Sequence, residues 1–358
     1  MTTAPSPTIP IFDGHNDTLT ELAPLKPGGR EFLTRSDTGH LDLPRARAGG
    51  FSGGIFAICV PHTQASFANL AQELVVTDAG YEIPPRPPCD PNQARQFTTA
   101  AMATLFRLVT EAAGQIEVVR SAADLTRCLD QDILAVVLHL EGAEPIDPAL
   151  DALYVFYEAG LRSLGITWSR PNLFGHGVPF KFPSSPDTGP GLTDAGRALV
   201  RACNQIGIMI DLAHLNERGF WDVAQLSDAP LVVTHTAVHQ LCPSARNLTD
   251  RQLDAVGETD GIVGVTFYVG DLRPDGRGDA DASLALIVEH VDYIAHRIGV
   301  EHVAFGSDFD GAPIPAELKD VTGLPRLVQA LRERGYDDEA LHKIAHQNWT
   351  RVLRQTWR

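Results

Sequence analysis

Cysteine is scarce in this chain. The five present, Cys59, Cys89, Cys128, Cys203 and Cys242, are odd in number, far apart and without a CxxC pair, which argues against a disulfide framework or a thiolate zinc site. No GxGxxG turn occurs, so a dinucleotide-binding open sheet lacks its usual mark. No window approaches the roughly 20 apolar residues of a membrane span. The opening segment MTTAPSPTIPIFDG has neither a basic stretch nor the apolar run of a secretion signal. Positive charge is also short: 29 Lys and Arg against 45 Asp and Glu leave a net charge of −16, with no basic cluster to interrupt it. Such a field repels phosphate backbones. A cytoplasmic protein with no nucleic-acid or membrane partner is expected.

What remains is ordinary globular material, 44% hydrophobic and 21% charged, long enough for one barrel with insertions. Eight apolar, β-branched runs stand out: Ile9–His15, Gly53–Val60, Ile133–Glu141, Leu161–Trp168, Gly207–His214, Pro230–His235, Gly261–Tyr268 and His302–Asp308. Segments with helical spacing lie between them, such as Asp194–Asn204 and Leu284–Arg297. Strand and helix alternating eight times predicts an α/β fold, a (β/α)8 TIM barrel, as a single domain over 1–358. Residues 61–132 are read as a helical insertion between strands 2 and 3, packed on the barrel. Asp337–Trp357 is read as a closing C-terminal helix, and the Pro- and Gly-rich stretch Ser169–Leu192 as a rim loop.

Acidic or imidazole side chains close nearly every predicted strand: Asp13, His15 and Asp17, then Glu141, His214, His235 and Asp308. A parallel barrel gathers these ends around one mouth. His15 and Asp17 alternate onto one strand face and can grip one ion. Glu141 ends a strongly apolar run, where a carboxylate needs an arginine or a metal to meet it. His214 and His235 end neighbouring strands. Imidazole and carboxylate donors together suit zinc better than magnesium or calcium. Asp308 reads either as a further ligand or, by preference, as the group that deprotonates a water. His139 is a candidate supporting residue. His176, in the rim loop, is a candidate substrate contact, and His290 and His296 are expected at the surface of a helix.

Six ordered motifs resemble the renal, or membrane, dipeptidase family of dinuclear zinc peptidases: DGHND (Asp13–Asp17), HLDLPRARAGGFSGGIFAI (His40–Ile58), EGAEP (Glu141–Pro145), DLAHL (Asp211–Leu215), THTAVHQLCPSARNLTD (Thr234–Asp250) and GSDFDG (Gly306–Gly311). The resemblance implies two Zn²⁺ per chain, one held by His15 and Asp17, the other by His214 and His235, with Glu141 bridging both. It implies that Asp308 handles the proton, that Arg246 clamps the carboxylate of a small dipeptide substrate, and that Tyr268 lines the pocket. The implied activity is zinc-dependent hydrolysis of short peptides, L-Xaa-L-Xaa or L-Xaa-D-Xaa, by a metal-bridging hydroxide. A homodimer is implied as well. One position departs from the pattern: several relatives have a His where this chain reads ITWSRPN with Trp168. Indole donates one hydrogen bond and accepts no proton. Oxyanion stabilisation then falls to zinc and another donor, Asn172 or His176, and an N-acyl amino acid becomes the alternative substrate. The secretion signal and lipid-anchor tail of the membrane-bound relatives are expected to be missing here.

Overall fold

Apolar runs covered on both faces satisfy their backbone in a parallel sheet flanked by helices. The computed structural model describes residues 9–23, 30–61, 74–77, 80–84, 86–278 and 281–358. It sets eight of the runs side by side: β1 (Ile11–Asn16), β2 (Phe51–Cys59), β3 (Leu134–Glu141), β4 (Leu161–Gly165), β5 (Met209–Asp211), β6 (Val232–Thr236), β7 (Ile262–Val265) and β8 (Val303–Phe305). They pair in that order, every neighbour parallel. Helices follow β3 to β7, for example Asp194–Ile206 and Ala285–Ile298. The expected TIM-type barrel is therefore the observed fold. Several strands are shorter than their apolar runs, because the chain bends away at the carboxyl ends.

The last gap in the ring, between β8 and β1, has no regular ladder. A single bridge joins Asn16 to Phe309, and Asp308 N donates to His15 O at 3.0 Å. The carboxylate of Asp13 adds two more bonds, accepting from Ser307 N at 2.7 Å and Ser307 Oγ at 2.8 Å. Asp13, one of the acids at a strand end, thus stitches the seam.

Inside the ring, Phe12, Ile55, Val137, Met209, Val232, Ile262 and Ala304 form one buried cluster with Trp349. Trp349 comes from the C-terminal helical stretch, Asp338–His342, Lys343–Gln347 and Asn348–Thr356, and its Nε1 donates to Phe305 O at 3.0 Å. Above it the barrel is pinched. A Cβ at Gly264 or Gly306 would lie 1.9 Å from the Thr234 carbonyl oxygen, and one at Gly14 would lie 2.6 Å from it. Only glycine permits this approach of β1, β7 and β8 to β6.

Among its described residues, the segment 61–132 carries two helices, Pro91–Glu111 and Ala122–Asp130, and also three short strands. Val75–Thr77 and Gly80–Glu82 form a hairpin that pairs with Lys181–Phe182 of the long loop, while Ile116–Val118 pairs with β3. His62 and part of this segment lie outside the described residues. Among the described residues, no helix is long and apolar enough to cross a membrane.

His290 departs from its expected surface position. It is 1% exposed, its Nδ1 accepts from Val238 N at 3.0 Å and its Nε2 donates to Leu272 O at 3.0 Å. Its spacing of three from Ile287 and four from Ile294, both buried, puts it on the core stripe of its helix. His296 is exposed, as expected. Burial pushes His290 down to about 4, from 6.5, so the folded ring stays neutral while the unfolded chain takes up a proton. Its contribution is complete above about pH 6.5 and is lost as pH falls toward 4, by up to ~3 kcal/mol. Urea unfolding at pH 7 and pH 4.5 is expected to show a smaller acid loss in His290→Gln than in the parent. Equal losses would refute this assignment.

Candidate metal centre

The donors arrive from different strands, and local backbone geometry turns them inward. Ala135, Val137, His139 and Glu141 alternate along β3, so the inward row that starts apolar ends in imidazole and carboxylate. A register shift between Asp13 and Asn16 reorients the end of β1 at His15. His214, three residues past β5, and Asp308, past β8, both take left-handed backbone, φ 64° and 60°. That conformation is uncommon outside glycine but more frequent for His and Asp.

These turns converge on one oxygen. Glu141 Oε1 lies 2.9 Å from His214 Nε2, 3.5 Å from His235 Nε2 and 3.8 Å from His15 Nε2. His15 Nε2 lies 3.6 Å from Asp17 Oδ2, and the Nε2 atoms of His214 and His235 are 3.0 Å apart. Two groups of three donors, His15/Asp17/Glu141 and Glu141/His214/His235, therefore share Glu141. Within each group the donor atoms are all within 4.8 Å of one another, as they are in a third, His15/His235/Asp308. All five residues expected to bind metal are brought together and buried.

The same geometry shows that a cation belongs here. Both ring nitrogens of His15 and Oδ1 of Asp17 are buried without a hydrogen-bond partner among the described residues, which is costly unless something else meets them. Burial works against a charged His15 ring, yet Glu141, Asp17 and Asp308 around it prevail and raise it to about 10. Burial, and then repulsion by Glu141, pushes Asp17 up to about 6. Asp308 rises to about 8 by burial and by Asp17 and Glu141, against the pull of His15 and Arg246. His214 falls to about 4 through burial and the positive Arg246, and burial also holds His235 low. The carboxylates thus hold the His15 ring positive while His214 and His235 stay neutral, an acidic centre that draws in a cation. Its N and O donors fit a borderline divalent ion such as zinc.

Of the expected substrate contacts, Arg246 is buried at the edge of the cluster, its Nη2 donating to His235 O at 3.3 Å. Tyr268 lies near enough for the charges of Asp308 and Arg246 to act on its hydroxyl. Trp168 is buried with its ring 5.8 Å from that of His214 and 5.4 Å from Phe180. The Asn172 carboxamide holds its own turn, donating to Ile166 O at 2.7 Å and accepting from Phe174 N and Gly175 N. The His176 ring is near Gly191 O at 3.2 Å. Among the described contacts, neither residue touches the five clustered donors.

Several supporting groups escape a reading of spacing alone. Ser169 Oγ is 2.7 Å from His214 Nδ1, Thr234 Oγ1 is 2.9 Å from His235 Nδ1, and His139 Nδ1 is 2.8 Å from Ser163 Oγ. A Cβ on Gly311 would fall 2.2 Å from Asp17 Oδ2 and 2.4 Å from Asp308 Oδ1, so a glycine is required behind these two acids. Arg170, fully buried, pairs with Glu144 at 2.8 Å beneath Trp168.

Residues 6–358 match the model of the membrane dipeptidase family, peptidase family M19. A metallo peptidase from Rhodobacter sphaeroides, solved with a phosphinate mimic of the dipeptide L-Ala-D-Ala, is 49% identical with a TM-score of 0.93, the match covering 98% of this chain and 100% of that one. An uncharacterized protein in the pqqA 5′ region of Klebsiella pneumoniae is 49% identical over 256 residues, 72% of this chain and 94% of that protein. Dipeptidase tcpJ of Claviceps purpurea is 27% identical over 350 residues, 96% of this chain and 76% of that protein.

Proposed function

The chain belongs to the membrane dipeptidase family, peptidase family M19, and is a metallo-dipeptidase; from that premise we propose that it is a two-zinc enzyme hydrolysing L-Xaa-L-Xaa and L-Xaa-D-Xaa dipeptides in the cytoplasm. The observation that carries the proposal is the single oxygen of Glu141 shared by two groups of donors. His15 and Asp17 would hold one ion, His214 and His235 the other, and Glu141 both. When bound, the pair supplies Lewis acidity and a water acidic enough to yield hydroxide near neutral pH.

The chain's own residues do the rest. Arg246 presents a planar guanidinium to the carboxylate of the substrate, which registers a short peptide with its amide over the cluster. Asp308, close to His15 and His235 and with a carboxyl held high enough to exchange its proton near neutrality, takes a proton from the attacking water and returns it to the leaving amine. Tyr268 closes the side of the pocket next to Arg246, and Trp168 packs against His214.

Dialysis against a chelator, followed by dipeptide assay and zinc add-back, tests this reading. Activity is expected to vanish with the metal and return with it. Undiminished turnover by protein verified as metal-free would end it. Trp168, which replaces a basic ring beside His214, favours one alternative, an N-acyl amino acid substrate. Parallel assays of dipeptides and the matching N-acyl amino acids separate the two, since both carry the carboxylate that Arg246 would hold and only the dipeptide carries a free α-amino group; Arg246→Ala is expected to slow both.

A further inference from the structure

One buried chain of hydrogen bonds runs from a carboxylate with no assigned role to a ring of the metal cluster. Asp211, 1% exposed at the end of β5, accepts at Oδ1 from Ala213 N at 3.0 Å and from Thr234 N at 2.8 Å. Its Oδ2 accepts from Thr234 Oγ1 at 2.6 Å. Thr234 Oγ1 in turn lies 2.9 Å from His235 Nδ1. The Nε2 on the other side of that ring faces His214 Nε2 and Glu141 Oε1. Asp211 also faces His139 Nε2 at 3.6 Å, and its carboxylate, His139 and His15 have donor atoms within 4.8 Å of one another.

The direction of each bond follows from counting protons. A carboxylate only accepts, so the one hydroxyl proton of Thr234 points to Asp211. The Thr234 oxygen is then left to accept from His235, which places the ring proton on Nδ1 and the lone pair on Nε2. We infer that Asp211, acting through Thr234, is a positioning residue that fixes the tautomer of His235 so that Nε2 is the metal-binding nitrogen. This inference rests on the reading of His235 as a metal ligand. The other imidazole of the pair has no such backing: His214 Nδ1 meets Ser169 Oγ, a hydroxyl that can donate or accept.

Asp211→Asn is the discriminating variant, because it keeps the shape and reverses the polarity. The asparagine oxygen retains the two backbone donors at the Oδ1 position, so its NH2 takes the place of Oδ2 and donates to Thr234 Oγ1. The hydroxyl then donates to His235 Nδ1, and the ring proton moves to Nε2, where it blocks coordination. Nitrogen-15 NMR of the histidine rings in metal-free protein reads the tautomer directly, and competition with a chromophoric chelator reads zinc affinity. The parent is expected to show His235 protonated on Nδ1, and Asp211→Asn on Nε2. Zinc should then bind ~10 to 100-fold more weakly to one of the two sites. Thr234→Val, which deletes the relay, should weaken the same site, and Thr234→Ser, which keeps the hydroxyl, should restore it.

A parent ring protonated on Nε2, or an Asp211→Asn tautomer unchanged from the parent, would overturn the inference. So would equal weakening of both zinc sites, which is what a purely structural role predicts. If Asp211→Asn does not fold, the Val and Ser pair at Thr234 decides the question by the same two readouts. If the parent has the expected tautomer but takes up no zinc, the functional reading fails while the tautomer assignment stands.

Discussion

Replacing Glu141 with Gln is expected to lower kcat/KM for dipeptides by at least ~10³-fold and to reduce bound metal at both sites together. Glu141 belongs to both groups of donors that would hold the proposed pair of ions, and its Oε1 lies within 3.8 Å of the His15, His214 and His235 rings. A neutral carboxamide removes a full negative charge from the centre of the cluster and offers one acceptor where a carboxylate offers two. Losing ~4 kcal/mol of Lewis-acid stabilisation corresponds to about three orders of magnitude in rate. Burial alone would raise the Glu141 carboxyl, yet His15, His214 and His235 hold it well below its ordinary range, so the charge that Gln removes is present at every pH where the enzyme would be assayed. Metal analysis beside steady-state kinetics is the measurement. A Glu141→Gln enzyme that kept both ions and parent activity would remove the basis of the proposed mechanism.

Asp308→Asn is expected to cut kcat by ~10² to 10⁴-fold, the range of general acid–base catalysis, while leaving metal content near that of the parent. The acidic limb of the pH profile, along which turnover rises as the carboxyl gives up its proton, should disappear with it. Asp308 stands within reach of His15 and His235, so the geometry also admits a ligand role. The two roles separate cleanly: a variant that loses an ion along with its activity would make Asp308 a ligand and leave the proton-handling step without its residue.

The barrel was legible because eight apolar runs alternate with helical spacing, and the cluster because acids and imidazoles at strand ends are expensive unless they meet. Alternation alone explains Glu141, in line with Ala135, Val137 and His139. It does not explain His214, which lies three residues beyond its strand in left-handed backbone. Asp211 and Thr234 read as an ordinary acid and an ordinary β-former, since a relay between two neighbouring strands leaves no trace in linear spacing. Gly311 is similarly silent, its requirement arising from two acids that crowd it in three dimensions. Asn172 illustrates the opposite case. Its amide could serve a substrate in principle, but a turn needs all of its bonds. The helical reading of 61–132 missed the hairpin, because its strands of three residues are too short to show a period.

The stitch between β8 and β1 bears on when the enzyme can come into being. Asp13 and Ser307 are separated by 294 positions, so their contact is among the least local in the molecule, and the entropy of closing so long a span is met before any reward is collected. A ribosome must release β8 and Ser307 just past it, 294 positions after Asp13, before these two strands can meet, with Trp349 emerging later still. The donors from β1 therefore join those from β3, β5 and β6 in a closed ring only once this distant strand has been made, so assembly of the centre waits on the seam.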